Sequence, residues 1–268
     1  MTKTILITGS TDGIGLETAK MLLKQGHHIL LHGRNAEKLG KVKEELSALG
    51  EVESFVADLS DLKEVKELAQ NIKENHLSLD VLINNAGVLK SNEPLTKDGI
   101  DIRFVVNSIA PYLLTKELLP ILNKHSRVIN LSSAAQAPID LDALTGKGDE
   151  LETMSAYSQS KLAIVMWANS LHNSFTNNGP TIISVNPGSM LASKMVKEYF
   201  KTAGKDLAIG ADILMRAALS DEFLNAGGKY FDNDSKQFAN PHPDALDQQK
   251  CASVVSSLEF VISKIFRL

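Results

Sequence analysis

Apolar and polar positions follow two rhythms along this chain. Short apolar runs, β-branched or leucine-rich, recur at TILIT (4–8), HILLH (28–32), VESFV (52–56), LDVLI (79–83), RVINL (127–131) and TIISV (181–185). Such runs suit strands buried on both faces. Between them apolar residues fall at helical spacing, as in GLETAKMLLKQG and EKLGKVKEELSALG, and both segments stop at a glycine, a common helix terminator. Alternation of this kind predicts right-handed βαβ units. The expected fold is α/β, a doubly wound parallel sheet of the Rossmann type with helices on both faces. No repeat or linker breaks the pattern, so residues 1–268 read as a single domain. Ligands of such sheets bind beyond the carboxyl ends of the strands.

The first run leads straight into a glycine-rich turn and a helix, ILITGSTDGIGLETAK. Gly9, Gly13 and Gly15 remove side chains where backbone must approach a ligand, and Ser10, Thr11 and Ile14 share the turn. A helix N-terminus offers free N–H groups and positive partial charge to a phosphate. The spacing is Gly-x-x-x-Gly-x-Gly, not the commoner Gly-x-Gly-x-x-Gly, and its place after a buried strand favours a dinucleotide over an empty tight turn.

Other polar residues stand just beyond later strands. Asp58 and Leu59 follow the third run, with Asp58 able to accept from the amine of a base. Asn85, Ala86 and Gly87 follow the fourth, and Ser132 and Ser133 the fifth. Asn107 lies within a long helical segment near Pro111, and Pro187 and Gly188 close the sixth strand. Tyr157 and Lys161 sit four apart on a helix and are therefore neighbours on one face. A phenol of pKa about 10 is a poor acid–base group at neutral pH, and a cation one turn away is expected to lower it. Singly, each residue has a plain structural explanation: a kink-associated amide, a loop hydroxyl, a core contact.

As an ordered set, TGSTDGIG (8–15), NNAG (84–87), Asn107, the serine pair, Tyr-x-x-x-Lys (157–161) and VNPG (185–188) resemble the short-chain dehydrogenase/reductase family, in its one-domain branch. The resemblance spans residues 3 to 230 and implies an NAD(P)-dependent oxidoreductase interconverting a carbonyl and an alcohol. It implies that Tyr157 exchanges the substrate proton, that Lys161 supports it and holds the nicotinamide ribose, and that Ser133 bonds the substrate oxygen. Asn107 would hold a relay water. Ser133 is preferred to Ser132 because the family's serine is the second of such a pair. Tyr157 lies unusually far beyond Ser133, and the intervening stretch, APIDLDALTGKGDELETM, is similar to that of retinol-dehydrogenase-like and WW-domain-linked members, where it borders the substrate. A solvated acidic loop is the alternative.

For the cofactor, NAD-preferring members place an acid at the end of the second strand. Here Gly33 takes that position, followed by Arg34 and Asn35. An arginine there can pair bidentately with a 2′-phosphate, so NADP(H) is preferred over NAD(H). Asp12 argues the other way, since it replaces the cation often found before the second motif glycine.

Composition narrows the partners. A net charge of −4 with mixed signs gives no nucleic-acid surface, and seven scattered histidines offer no ligand spacing for a metal. One cysteine cannot form an intrachain disulfide, and neither a signal peptide nor an apolar run of membrane-spanning length is present. The expectation is a cytoplasmic enzyme acting on a small-molecule carbonyl or alcohol. Helices around 101–124 and 154–176 would suit the four-helix interface of a homodimer or homotetramer, or simply cover the sheet.

The substrate loop is expected at about 188–227. There Ala192 replaces the family's usual threonine, and Ser193 stands one position late. Met190, Met195, Tyr199 and Phe200 suit an apolar lid and an apolar substrate, or ordinary packing. The tail, 232–268, reads as an irregular run and then a helix whose stripe of Val254, Leu258, Val261, Ile262 and Ile265 docks on the domain or a sister subunit rather than a membrane. A non-catalytic dinucleotide sensor is the rival reading. It is disfavoured because tyrosine and lysine are both kept. A nucleotide-sugar epimerase is disfavoured by the glycine spacing.

Overall fold

A computed structural model describes residues 1–175 and 178–267. Thr176, at the end of the expected helix 154–176, and Leu268 of the tail lie outside the described residues. The chain runs β1 (Thr4–Ile7), α1 (Gly13–Lys24), β2 (His28–Gly33), α2 (Ala36–Ser47), β3 (Val52–Val56), α3 (Leu62–Asn75), β4 (Val81–Asn84), α4 (Ile102–Phe104) and α5 (Ala110–Leu118). It continues with β5 (Arg127–Leu131), α6 (Leu141–Leu144), α7 (Thr153–Ser174), β6 (Thr181–Asn186), α8 (Lys194–Phe200), α9 (Ala208–Leu219), β7 (Tyr230–Asp232), β8 (Gln237–Ala239) and α10 (Gln248–Phe266).

The strands form one sheet in the order β3-β2-β1-β4-β5-β6-β7-β8. All neighbours are parallel except β7 and β8. Alternation along each strand divides the core into two layers. Leu6, Leu30, Leu82, Val128 and Ile182 face α3, α5 and α7, whereas Ile5, Ile29, Ile83, Ile129 and Ile183 face α1, α2 and α9. Each is fully buried, and burying such a side chain stabilises by about 1.5–3 kcal/mol. Both faces are thus covered, which is why the runs read as unbroken apolar stretches.

Two segments differ from expectation, and a third differs from the alternative of a solvated loop. The 101–124 stretch is not one regular helix: α4 passes into a π-helical turn, Val105–Ile109, before α5. Pro111 has no N–H to return to the Asn107 carbonyl, and the Ala110 N–H donates one residue further back, to Val105. The run after β7 is not irregular throughout, because it folds back as β8 and pairs Phe231 with Phe238. Phe223, Phe231 and Phe238 pack there, ring centroids 5.2–5.3 Å apart. The stretch 134–152 is not merely solvated, since α6 buries Ala143 and Leu144.

The tail docks on its own chain. α10 buries Cys251, Val254, Leu258, Val261 and Ile262 in the layer that holds α7. Its Glu259 accepts from Tyr112 Oη at 2.5 Å and pairs with Lys116, both on α5. Among the described residues no helix is long and apolar enough to cross a membrane.

Candidate active site

The carboxyl ends of β1, β2, β3 and β4 open on a cleft of about 760 Å³. Its floor is the glycine-rich turn. Thr8 ends β1 by turning its Oγ1 to accept from the N–H groups of Asn85 and Ala86. Asn85 Nδ2 then donates to the carbonyls of Thr8 at 2.8 Å and Gly9 at 3.1 Å. The NNAG stretch therefore braces the turn. A Cβ on Gly9 would lie 2.9 Å from Ala86 Cα, and one on Gly15 would lie 2.4 Å from Asn85 Nδ2. Gly9 (φ 64°) and Gly13 (φ 56°) are left-handed, a conformation that costs residues with a Cβ. Asp12 caps α1 by accepting from Gly13 N–H at 2.7 Å, and binds Lys38 Nζ at 2.7 Å.

The cleft is lined by Gly9, Thr11, Gly13, Ile14, Arg34, Asn35, Asp58, Leu59, Asn85, Ala86, Gly87, Tyr157, Lys161 and Pro187, each expected to touch cofactor. Three others expected there do not line it. Ser10 is buried, exchanging hydrogen bonds with the backbone of His32. Gly15 is buried against Asn85, a packing role. Gly188 (φ 118°) turns the chain beyond β6, near Asn233.

At the reaction end α7 begins with Glu152, whose carboxylate accepts from the N–H groups of Met154 and Ser155. One turn in, Tyr157 and Lys161 share a face, with Lys161 Nζ 5.8 Å from the Tyr157 ring centroid. The expected lowering of the phenol by the lysine is not what the geometry gives. Burial pushes Tyr157 up, and only the neighbouring Ser133 hydroxyl opposes that. Lys161 is 4% exposed and donates to the Leu131 carbonyl at 2.8 Å. Burial holds its ammonium down at about 8.

The two serines separate clearly. Ser132 Oγ donates to the Lys161 carbonyl at 2.7 Å, tying β5 to α7. Ser133 lies beside Tyr157 and accepts from Ala135 N–H. Neither Ser133 nor Asn107 lines the cleft itself. Asn107 is fully buried and spends both Nδ2 hydrogens, on Val88 O and Ser160 Oγ, each at 2.9 Å. A Cβ on Gly87 would sit 3.4 Å from Asn107 Oδ1 and 3.5 Å from Lys161 Nζ, so the asparagine stands behind the lysine. Val88, Ile102, Val106, Leu131 and Met195 make the wall here apolar. Ser193 lines it too, while capping α8 by accepting from Val196 N–H.

Sequence reading missed three supports. His32, at the end of β2, bonds two separate loops of the cleft. Asn233 Nδ2 donates to Pro187 O and Ile209 O, and Asp234 accepts from Ser189 N and Oγ. The turn after β7 thus holds the loop that follows β6. A buried-run histidine and the polar DNDS stretch were the available signals.

The profile of the short chain dehydrogenase family matches residues 3–204. The chain belongs to this family. Among curated relatives, retinol dehydrogenase 13 of Homo sapiens is 34% identical, aligned over 92% of this chain and 80% of its own. The WW domain-containing oxidoreductase of Pongo abelii is 29% identical over 98% of this chain and 68% of its own. A metagenomic short-chain oxidoreductase solved in complex with NADP is 28% identical, with a TM-score of 0.62 over 81% of this chain and 90% of its own. The protein is thus a short-chain dehydrogenase of the retinol-dehydrogenase-like group, an oxidoreductase that moves hydride between a nicotinamide dinucleotide and a carbonyl or alcohol.

Proposed function

We propose that this dehydrogenase prefers NADP(H), acts on an apolar carbonyl or alcohol, and exchanges the substrate proton through Tyr157. The observation that carries the reading is Tyr157 on the cleft wall one turn from buried Lys161, with Ser133 beside it, at the end of a glycine cradle. Bound there, the nicotinamide supplies or takes up hydride; the residues of this chain orient the reactants and manage one proton. A phenol raised by burial is protonated at neutral pH, so Tyr157 stands ready to donate to a carbonyl oxygen as negative charge develops on it. Ser133 gives that oxygen a second donor. Lys161, held at about 8, is mostly protonated at pH 7 and close enough to neutrality to return a proton. Asn107 fixes the backbone behind Lys161, and its Oδ1 keeps a lone pair for a relay water.

The residues at the other end fit a 2′-phosphate. Gly33 carries no acid to read a ribose 2′-hydroxyl, and a Cβ there would be 2.6 Å from Thr11 Cγ2, so a side chain would require Thr11 to turn aside. Arg34 is exposed beside it and, among the described residues, has no ion-pair partner. Asp12, the residue that argued against NADP(H), is engaged by Lys38, whose hydrogen bond holds its carboxyl below the usual range. The apolar wall of Val88, Ile102, Val106 and Met195 supports an apolar substrate. α10 packs in the layer of α7 and reaches α5 through Glu259, so the chain's own tail covers part of the face expected for a sister subunit.

Titration with NADPH and NADH by fluorescence, followed by a panel of aldehydes, ketones and alcohols of increasing apolar length, tests the proposal. The expected result is tighter NADPH binding and turnover that improves with chain length. Equal binding of the two cofactors would remove the preference, and turnover confined to short polar carbonyls would remove the apolar substrate.

A further inference from the structure

His32 lies at the carboxyl end of β2, only 2% exposed, and the proton chemistry above does not use it. Its two ring nitrogens face different loops. Nδ1 is 3.1 Å from the backbone N–H of Gly9, the first glycine of the cradle. Nε2 is 3.1 Å from the carbonyl of Ala57, the residue before Asp58 on the loop after β3. An N–H can only donate and a carbonyl can only accept, so the two partners together leave one arrangement. Nδ1 is the bare acceptor and Nε2 carries the hydrogen. Burial, which holds this imidazole down at about 4, keeps it neutral.

Backbone bonds complete the junction. Ser10 N–H donates to the His32 carbonyl at 3.0 Å, and His32 N–H donates to Ser10 Oγ at 2.9 Å. The Gly9 N–H sits in a turn that closes on Ala86, without room for a side chain. With its acceptor removed, that donor would lose the bond that fixes its direction in the element that must hold a pyrophosphate.

We infer that His32 is a positioning residue for the dinucleotide, a neutral strut that locks the phosphate cradle at Gly9 to the adenine-side loop at Ala57 and Asp58. It touches the cofactor's supports and acts through them. The inference rests on the dinucleotide reading of the cleft, and it goes beyond that reading by assigning a residue outside the family motifs and a required tautomer. Substitutions that keep one nitrogen and drop the other separate the two bonds. Asparagine places Oδ1 where Nδ1 stands, keeping the acceptor for Gly9. Glutamine reaches the Nε2 position, keeping the donor for Ala57 and losing the acceptor for Gly9.

The test measures NADPH dissociation constants and melting temperatures for wild type, His32→Asn, His32→Gln and His32→Ala. Binding by wild type bears on the dinucleotide reading; the order of the variants bears on His32. Expected is near-wild-type affinity for His32→Asn, with His32→Gln and His32→Ala weaker by about tenfold or more, the consequence of a cradle donor left without its fixed acceptor. Equal affinities in all four proteins, or a loss in His32→Asn as large as in His32→Ala, would overturn the inference, because packing alone would then explain the residue. Should substitution prevent folding, ¹⁵N NMR of histidine-labelled wild type decides. A non-protonated Nδ1 and a protonated Nε2, with the Nδ1 signal shifting on NADPH addition, support the strut. The opposite tautomer, or a ring indifferent to NADPH, overturns it.

Discussion

At the phosphate end of the cleft the charged groups are exposed and stand above a neutral floor that is half-buried or buried. Arg34, Lys38 and Asp12 reach from the rim, while Gly9, Ser10 and His32 make the floor through backbone and a neutral imidazole. At the reaction end the arrangement is inverted. Lys161 is buried in a largely apolar wall that Tyr157 also lines, and solvent-facing charge is sparse. The rim charges are cheap to keep and weakly coupled to stability. A buried ammonium shifts its own pKa and is costly. One end selects a ligand by attraction at a wet surface. The other keeps Lys161 with its proton affinity lowered toward neutral pH by burial, while burial holds Tyr157 in its protonated, donating form.

The sharpest way to break this contrast is Tyr157→Phe. The ring stays in its apolar wall and the acid is lost, so kcat should fall by about 10³-fold or more while NADPH binding changes little. Stopped-flow turnover beside equilibrium titration checks both halves. Residual turnover within tenfold of wild type would move the proton donor elsewhere. At the opposite end, Arg34→Ala should weaken NADPH by about tenfold to a hundredfold and NADH by no more than about threefold, since a charge-assisted bond to phosphate is lost. Equal losses would mean that the exposed guanidinium reads the common part of the dinucleotide.

Most of the sheet was legible because strands buried on both faces leave apolar runs that nothing else in the chain imitates. VESFV and RVINL became strands at their expected bounds. β8 was hidden because it is only three residues long, Gln237–Ala239, begins with an exposed glutamine and lies on a sheet edge. The break before α5 could be inferred only in part. Pro111 signals the disturbance, but a π-turn depends on where the neighbouring N–H groups go. The glycine, asparagine and tyrosine–lysine motifs could be read from spacing. His32, Asn233 and Asp234 could not, because their roles depend on partners 23 to 46 positions away. The effect of Lys161 on Tyr157 was read with the wrong emphasis: helical spacing gives proximity, whereas burial, invisible in the spacing, determines the direction of the phenol's shift.

The cost of the buried lysine can be measured directly. Lys161→Met keeps the unbranched stem and removes a cation whose pKa falls from 10.5 to about 8 on folding. A shift of that size corresponds to about 3 kcal/mol. Losing the bond to the Leu131 carbonyl returns about 1 kcal/mol of it. The variant should therefore be inactive yet more stable at pH 7, with Tm higher by about 4–8 °C. The pH dependence has a definite sign. Below about 8 both folded and unfolded wild type hold the proton, so the margin is full and constant. Between about 8 and 10.5 the unfolded chain holds more protons, wild type gains stability, and the margin narrows. Thermal melts across pH 6 to 10 test this, and a variant less stable than wild type throughout would mean that Lys161 is a structural strut first.

The smallest effect concerns Asp12, where the two ends of the cleft differ most in kind. Its carboxylate both caps α1 and engages Lys38. Asparagine caps helices about as well as aspartate, so Asp12→Asn should leave Tm within about 2 °C of wild type while releasing Lys38 from its ion pair. A freed ammonium on the same rim as Arg34, together with the loss of a nearby negative charge, should tighten NADPH by about threefold and leave NADH unchanged. Because both groups are exposed, the gain should fade as salt rises to about 0.5 M. A parallel change for both cofactors would show that Lys38 serves the helix rather than the phosphate, and a gain unaffected by salt would mean that the rim is drier than its exposure implies.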